Sequence, residues 1–163
     1  MFDVNLMHLK ECRPILLPII ICLGMVLAIA DRSQGGISSG VHKGKLAGCP
    51  DAPNCVSTQS GDESHVIAPL PLTTDLGSAL ECLKRIIEGM KRTKIVLVEK
   101  QYLHAEFRTL LGFIDDVELY IDEANRRVQM RSASRLGYWD FGVNRRRLEE
   151  IRGRFDQECR GRK

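Results

Sequence analysis

The 163-residue sequence carries no Gly-rich phosphate loop and no nucleophile elbow, and its histidines and cysteines fall at no metal-ligand spacing. A hydrolase or lyase is thereby left without a sequence signature. A zinc centre would need two ligands beyond Cys49 and Cys55, but Cys82 and Cys159 stand singly on predicted helices, and His42 and His65 lie at no matching interval. No metal and no cofactor are expected. Charge excess is missing too: 24 basic against 21 acidic residues leave a net +3, too little to imply a nucleic-acid partner. Aromatic residues make up 6% of the chain, with a single tryptophan, Trp139. The longest apolar run, residues 15–30, is interrupted by Pro18 and falls short of the roughly 20 residues of a membrane-spanning helix.

That run reads instead as an export signal. Lys10 and Arg13 precede it, and Ala28-Ile29-Ala30 supplies the small-x-small pattern of a cleavage site. Residues 1–30 are therefore expected to be removed, giving an exported, periplasmic or extracellular chain that starts at Asp31; a retained anchor through residues 15–30 is the alternative. Residues 31–47, rich in Gly and Ser without an apolar period, predict a flexible linker. One globular domain over 48–157 and a basic tail, 158–163, complete the chain. Between Cys49 and Cys55 two prolines with Asp51 and Asn54 force a reversal that brings the sulfurs together. A redox-active pair usually has two intervening residues and a helix N-terminus, so a structural disulfide is expected here.

Within the domain, Leu76, Leu80, Leu83, Ile87 and Met90 recur on one face of a helix that Thr74 or Asp75 would cap and Gly89 would end. Cys82 beside this stripe reads as a small buried hydrophobe. Four strand-like runs follow, at 94–99, 102–110, 116–122 and 127–134, too closely spaced for helical crossovers. Residues 65–68 add the expectation of one short edge strand. Leu103, Ala105 and Phe107, then Val117, Leu119 and Ile121, then Val128 and Met130 alternate toward a core. The opposite rows, acidic on 116–122 and basic on 127–131, are expected to pair across strands on a solvated sheet face. A last helix begins at Asn144 as cap, with Leu148, Ile151 and Phe155 buried and Arg145–Glu149 and Arg146–Glu150 paired outside. The fold class is α+β: a two-layer sandwich of a four- or five-stranded antiparallel meander with two helices on one face.

Polar chemistry concentrates in residues 131–147. Residues 126–163 carry a net +7, twelve basic against five acidic, whereas 31–125 carry −4. One use of that asymmetry is an anion clamp in which Arg131, Arg135, Asp140, Asn144, Arg145 and Arg146, with the free N–H groups of the last helix, hold an anionic small molecule or an acidic protein. The other is internal: Asp140 binds an arginine, Ser134 binds the turn, and Tyr138 and Trp139 cover the core. An enzyme would draw on His104, Glu106 and Tyr120 with Arg108 or Arg131 on the polar sheet face. A structural or assembly protein would dock its basic tail at a membrane surface.

Three separated motifs carry a resemblance: Cys49-Pro-Asp-Ala-Pro-Asn-Cys-Val56, Arg131-Ser-Ala-Ser-Arg-Leu-Gly137 and Asp140-Phe-Gly-Val-Asn-Arg-Arg-Arg147. In this order they resemble the family catalogued as domain of unknown function 1499, over about residues 48–155. The resemblance implies a bacterial or plastid-type domain, often behind an export signal or membrane segment, and implies no activity.

Overall fold

The alternation of apolar and charged side chains resolves into one antiparallel sheet in the computed structural model, which describes residues 39–159. Four strands are consecutive: β5 (Thr93–Val98), β6 (Tyr102–Arg108), β7 (Ile114–Asp122) and β8 (Arg127–Ser134). Two shorter strands, β3 (Cys55–Ser57) and β4 (Leu70–Pro71), lie end to end along β8, so the six-stranded sheet runs β3-β8-β7-β6-β5 with β4 also on β8. The expected strand at 65–68 reduces to a single bridge, Ser57 to Val66. The edge is built from the cysteine loop instead, where Cys55 pairs with Ala133.

Both helices among the described residues cover the apolar face, as the α+β class requires. Helix α1 (Leu76–Glu88) starts at Asp75, whose carboxylate accepts the Ser78 N–H at 2.9 Å, and ends at Gly89. Helix α2 (Val143–Glu158) buries Leu148, Ile151 and Phe155. These meet Leu83, Ile86 and Ile87 of α1 and Leu103, Val117, Leu119, Val128 and Met130 of the sheet in one core. The start of α2 differs from the expectation. Its cap position is Gly142 in the left-handed region, and Asp140 accepts the N–H groups of Gly142 and Asn144 at 2.8 and 2.9 Å. Asn144 lies inside the first turn and is fully buried. The outer pairs shift as well, to Arg152–Glu149 and Arg154–Glu150, because Arg145 and Arg146 turn to backbone carbonyls.

Two disulfides close the fold. Cys49–Cys55 forms as expected, and Cys82 is no isolated hydrophobe: it bonds Cys159, tying α1 to the end of α2 across 77 positions. Two bridges suit an oxidising environment. Among the described residues no helix is long and apolar enough to cross a membrane. The expected signal peptide, or anchor, and the last four residues of the basic tail lie outside the described residues.

The end of the expected linker is ordered. β1 (Val41–His42) and β2 (Lys45–Leu46) form a hairpin, closed by Lys43 and Gly44 with positive φ. Gln59 holds it, accepting the Leu46 N–H at 2.7 Å and donating to the Gly44 carbonyl at 3.2 Å. The residues flanking the hairpin reach the polar sheet face at Glu118 and Arg131. That face is not solvated: Tyr102, His104, Asp116, Glu118, Gln129 and Arg131 are all buried.

Candidate functional site

Register decides which charges meet. Glu118 on β7 stands opposite His104 on β6 and Arg131 on β8, while Asp116 stands opposite Glu106 and Ala133. Glu118 and Arg131, both without exposed surface, join through Oε2 and Nη1 at 2.5 Å. The other oxygen, Oε1, accepts the Tyr102 hydroxyl at 2.7 Å and the Gly40 N–H at 2.5 Å, and Arg131 Nη2 donates to the Gly48 carbonyl. The segment ahead of β1 and the residue before Cys49 are thus fastened to the charges they cover. Burial, reinforced by the bond to Glu118, pushes the Tyr102 phenol well above its ordinary range.

A second cluster lies toward the end of the sheet. Arg135 grips Asp116 with Nε and Nη2 at 2.9 and 2.8 Å, and Nη2 also reaches Glu106 at 2.6 Å. Asp116 Oδ1 lies 2.7 Å from His104 Nε2. Burial raises the Asp116 carboxyl, but the hydrogen bonds from His104 and Arg135 outweigh it and hold the group at about 2. Asp116 in return, with Glu106, holds the Arg135 guanidinium above its ordinary value against partial desolvation.

Because Asp116 loses its proton more readily folded than unfolded, its stabilisation is complete above the ordinary carboxylate range of about pH 4 and disappears as pH falls through about 2. Asp116→Asn is therefore expected to lie about 2–3 kcal/mol below the parent in urea unfolding near pH 6, with the gap closing between about pH 4 and pH 2. A gap that persists unchanged at pH 2 would place the origin of its stability elsewhere.

On the helix side of the sheet, Asn144 is the junction. Its Oδ1 accepts from Ser132 Oγ at 2.5 Å and Arg147 Nη1 at 2.7 Å, and its Nδ2 donates to the Asn54 carbonyl and Ser134 Oγ. Arg147 completes the set with Asp115 at 2.7 Å and stacks over the Phe107 ring, 4.7 Å from its centroid. Three carboxylates of β7 are thus satisfied within the domain, Asp115 on one face and Asp116 and Glu118 on the other.

The six expected clamp residues do not converge. Arg131 is enclosed, Arg135 is held by two carboxylates, and Asn144 lies across the sheet from both. Asp140 binds no arginine through its carboxylate; it occupies the N–H groups of the helix start that an anion would need. Arg145 donates to the carbonyls of Ser64 and Val66, and Arg146 to that of Phe141. Of the alternative constellation, His104 and Glu106 meet through Asp116 and Arg135, whereas Tyr120 lies farther along the face and Arg108 reaches the Gly112 carbonyl. Two shallow depressions flank the hairpin, of about 590 and 360 Å³; they share Tyr120, and none of the six clamp residues lines either.

What the residue patterns did not reveal is an exposed apolar end. Leu110 and Leu111 in the β6–β7 turn are 85% and 84% exposed, and Trp139 and Phe141 after β8 are 66% and 86% exposed; Phe113, Leu136 and Tyr138 are open too. Tyr138 and Trp139 therefore do not cover the core. The two loops adjoin, since the Arg135 N–H donates to the Ile114 carbonyl at 3.0 Å. A signal was present: Thr109-Leu-Leu-Gly-Phe113 is an apolar sequence where a hairpin turn is ordinarily polar.

No curated protein and no solved structure matches the chain. Residues 45–155, more than half of its length, match the family model described as Protein of unknown function (DUF1499), and the chain belongs to that family.

Proposed function

We propose that this is an exported, non-catalytic domain that binds an anionic partner at the loop end of its sheet, on the strand-turn-helix 131–147 and the adjoining β6–β7 turn. The observation that carries the reading is the contrast at that end: large apolar side chains stand open to water beside exposed Arg108 and Arg146, while Arg131, Arg135 and Arg147 are paired with Glu118, Asp116 and Asp115. Contiguous open apolar side chains on a monomer mark a contact surface. Export draws support from the Ala28-Ile29-Ala30 pattern and the two disulfides.

A fluorescent anionic amphiphile, 8-anilinonaphthalene-1-sulfonate, tests the reading on the native chain. Saturable enhancement with energy transfer from Trp139 is expected, weakened about tenfold or more in Leu111→Asn/Phe113→Asn and by added salt. Absence of any native-state binding removes the proposal. A second reading, acid–base catalysis at His104, is supported by its 2.7 Å hydrogen bond to Asp116 beside Glu106. The binding reading is preferred because Arg135 already compensates both carboxylates and neither depression opens on His104.

A further inference from the structure

The apolar side chains exposed at the loop end line neither depression, and exposed cationic side chains stand on the same segments. Residues 109–113 form the turn between β6 and β7, and residues 135–142 the crossing from β8 to α2. Their backbones are braced: Phe113 N–H donates to Thr109 Oγ1, Asn54 Nδ2 to the Gly137 carbonyl, and Arg146 Nη1 to the Phe141 carbonyl. Bracing keeps the side chains outward instead of letting them fold back onto the domain. The charged groups sit immediately behind the tips. Arg108 donates toward Gly112, and the strand ends lock Arg92 beside it, the Arg108 N–H donating to the Arg92 carbonyl and Arg92 Nε to the Arg108 carbonyl. Arg92, Arg108 and Arg146 are exposed, as is Lys91 next to Arg92. The neighbouring carboxylates are spent: Asp115 and Asp116 are buried, Glu106 is paired with Arg135, and Asp140 caps α2.

We infer that this end docks on the surface of a lipid bilayer containing anionic phospholipid, with Leu110, Leu111, Phe113, Tyr138, Trp139 and Phe141 entering the interfacial layer. Tyr and Trp place an apolar ring below and a polar N–H or O–H at headgroup level, Leu and Phe reach the acyl boundary, and Arg or Lys a few ångströms behind meet the lipid phosphates. The inference rests on the anionic-partner reading and names the partner.

Trp139 is the only tryptophan of the chain, so its emission reports on this end and not on the apolar run 15–30. The full chain is titrated with vesicles of phosphatidylcholine containing about one third phosphatidylglycerol, and with phosphatidylcholine alone. A blue shift, protection from acrylamide and quenching by bromine-labelled acyl chains are expected with the anionic vesicles. Leu110→Asn/Leu111→Asn is expected to raise the lipid concentration for half-maximal shift about tenfold or more, and raising salt to about 0.5 M to do the same. Both positions are open to water, and the brominated-lipid measurement on the parent chain needs no variant. The inference is overturned if Trp139 emission and quenching stay unchanged while the chain sediments with vesicles. It is overturned equally by an identical, salt-insensitive shift on phosphatidylcholine, or by a shift that grows with protein concentration without lipid, which would name a second copy as the occupant. Binding of the anionic amphiphile without any response to vesicles would sink the bilayer inference and leave the proposed function standing.

Discussion

Glu118→Gln is expected to cost about 3–5 kcal/mol of folding stability, because it leaves Arg131 charged with no carboxylate and no exposed surface. Two ions beneath a cover have given up their hydration, and what compensates them is each other. Arg131 also has one donor, Nε, without an acceptor among the described residues, so even the intact pair does not recover all it lost to water. For that reason the double variant Glu118→Leu/Arg131→Met is expected to regain most of the loss, to within about 1–2 kcal/mol of the parent. Urea unfolding followed by far-UV circular dichroism measures both. A single variant that loses less than about 1 kcal/mol would mean a hydrated pair and a loosely seated hairpin, and would return Arg131 to the pool of residues open to a ligand.

The second large effect is expected at the bridge between the helices. Cys82→Ala/Cys159→Ala frees a loop of 77 positions, for which the chain-entropy relation gives about 4.5 kcal/mol, whereas Cys49→Ala/Cys55→Ala opens a separation of 6, worth about 2. The long bridge also fixes the last turn of α2 against α1, where Cys159 is buried beside the common core. Thermal unfolding of the two double variants against the parent compares them directly. Equal losses, or a greater loss at Cys49–Cys55, would contradict the assignment of the long bridge as the main staple.

Much of the sheet was legible because its information is local. Alternation over 102–108, 114–122 and 127–134 sorts side chains to two faces before any partner is known, and the acidic row of β7 and the basic row of β8 do meet. Asp75 as a cap followed from its place before an apolar stripe. The fate of the polar face was not local. Two-residue strands have no period to detect, so the hairpin at 41–46 read as linker, and with it went the distinction between a solvated row and a buried one. Cys82 suffered similarly: a cysteine beside a helical stripe has the same local pattern whether its thiol is free or bonded to a residue far along the chain. At the candidate site, composition gave the arginines but not their direction. Whether Arg135 faces solvent or Asp116 depends on the pairing register of β7 with β8, and whether Asp140 holds an arginine or two backbone N–H groups depends on the bend at Gly142. The apolar turn at 109–113 was visible in the sequence, yet its meaning required knowing that the loop from β8 to α2 lies beside it.

The hairpin β1–β2 leaves the ribosome before any strand it will cover. Its landing site, which includes Glu118 and Arg131, is complete only when β8 has been translated. Through that interval the waiting face displays ionised and hydroxyl groups to water, whereas the apolar face can collect α1 as soon as β5 and β6 have emerged. Exposed apolar surface and unpaired strand edges are what make partly made domains adhere to one another. The chain order therefore leaves the late-sealed side of the nascent domain hydrated, so delay in seating the hairpin exposes a surface with little tendency to aggregate.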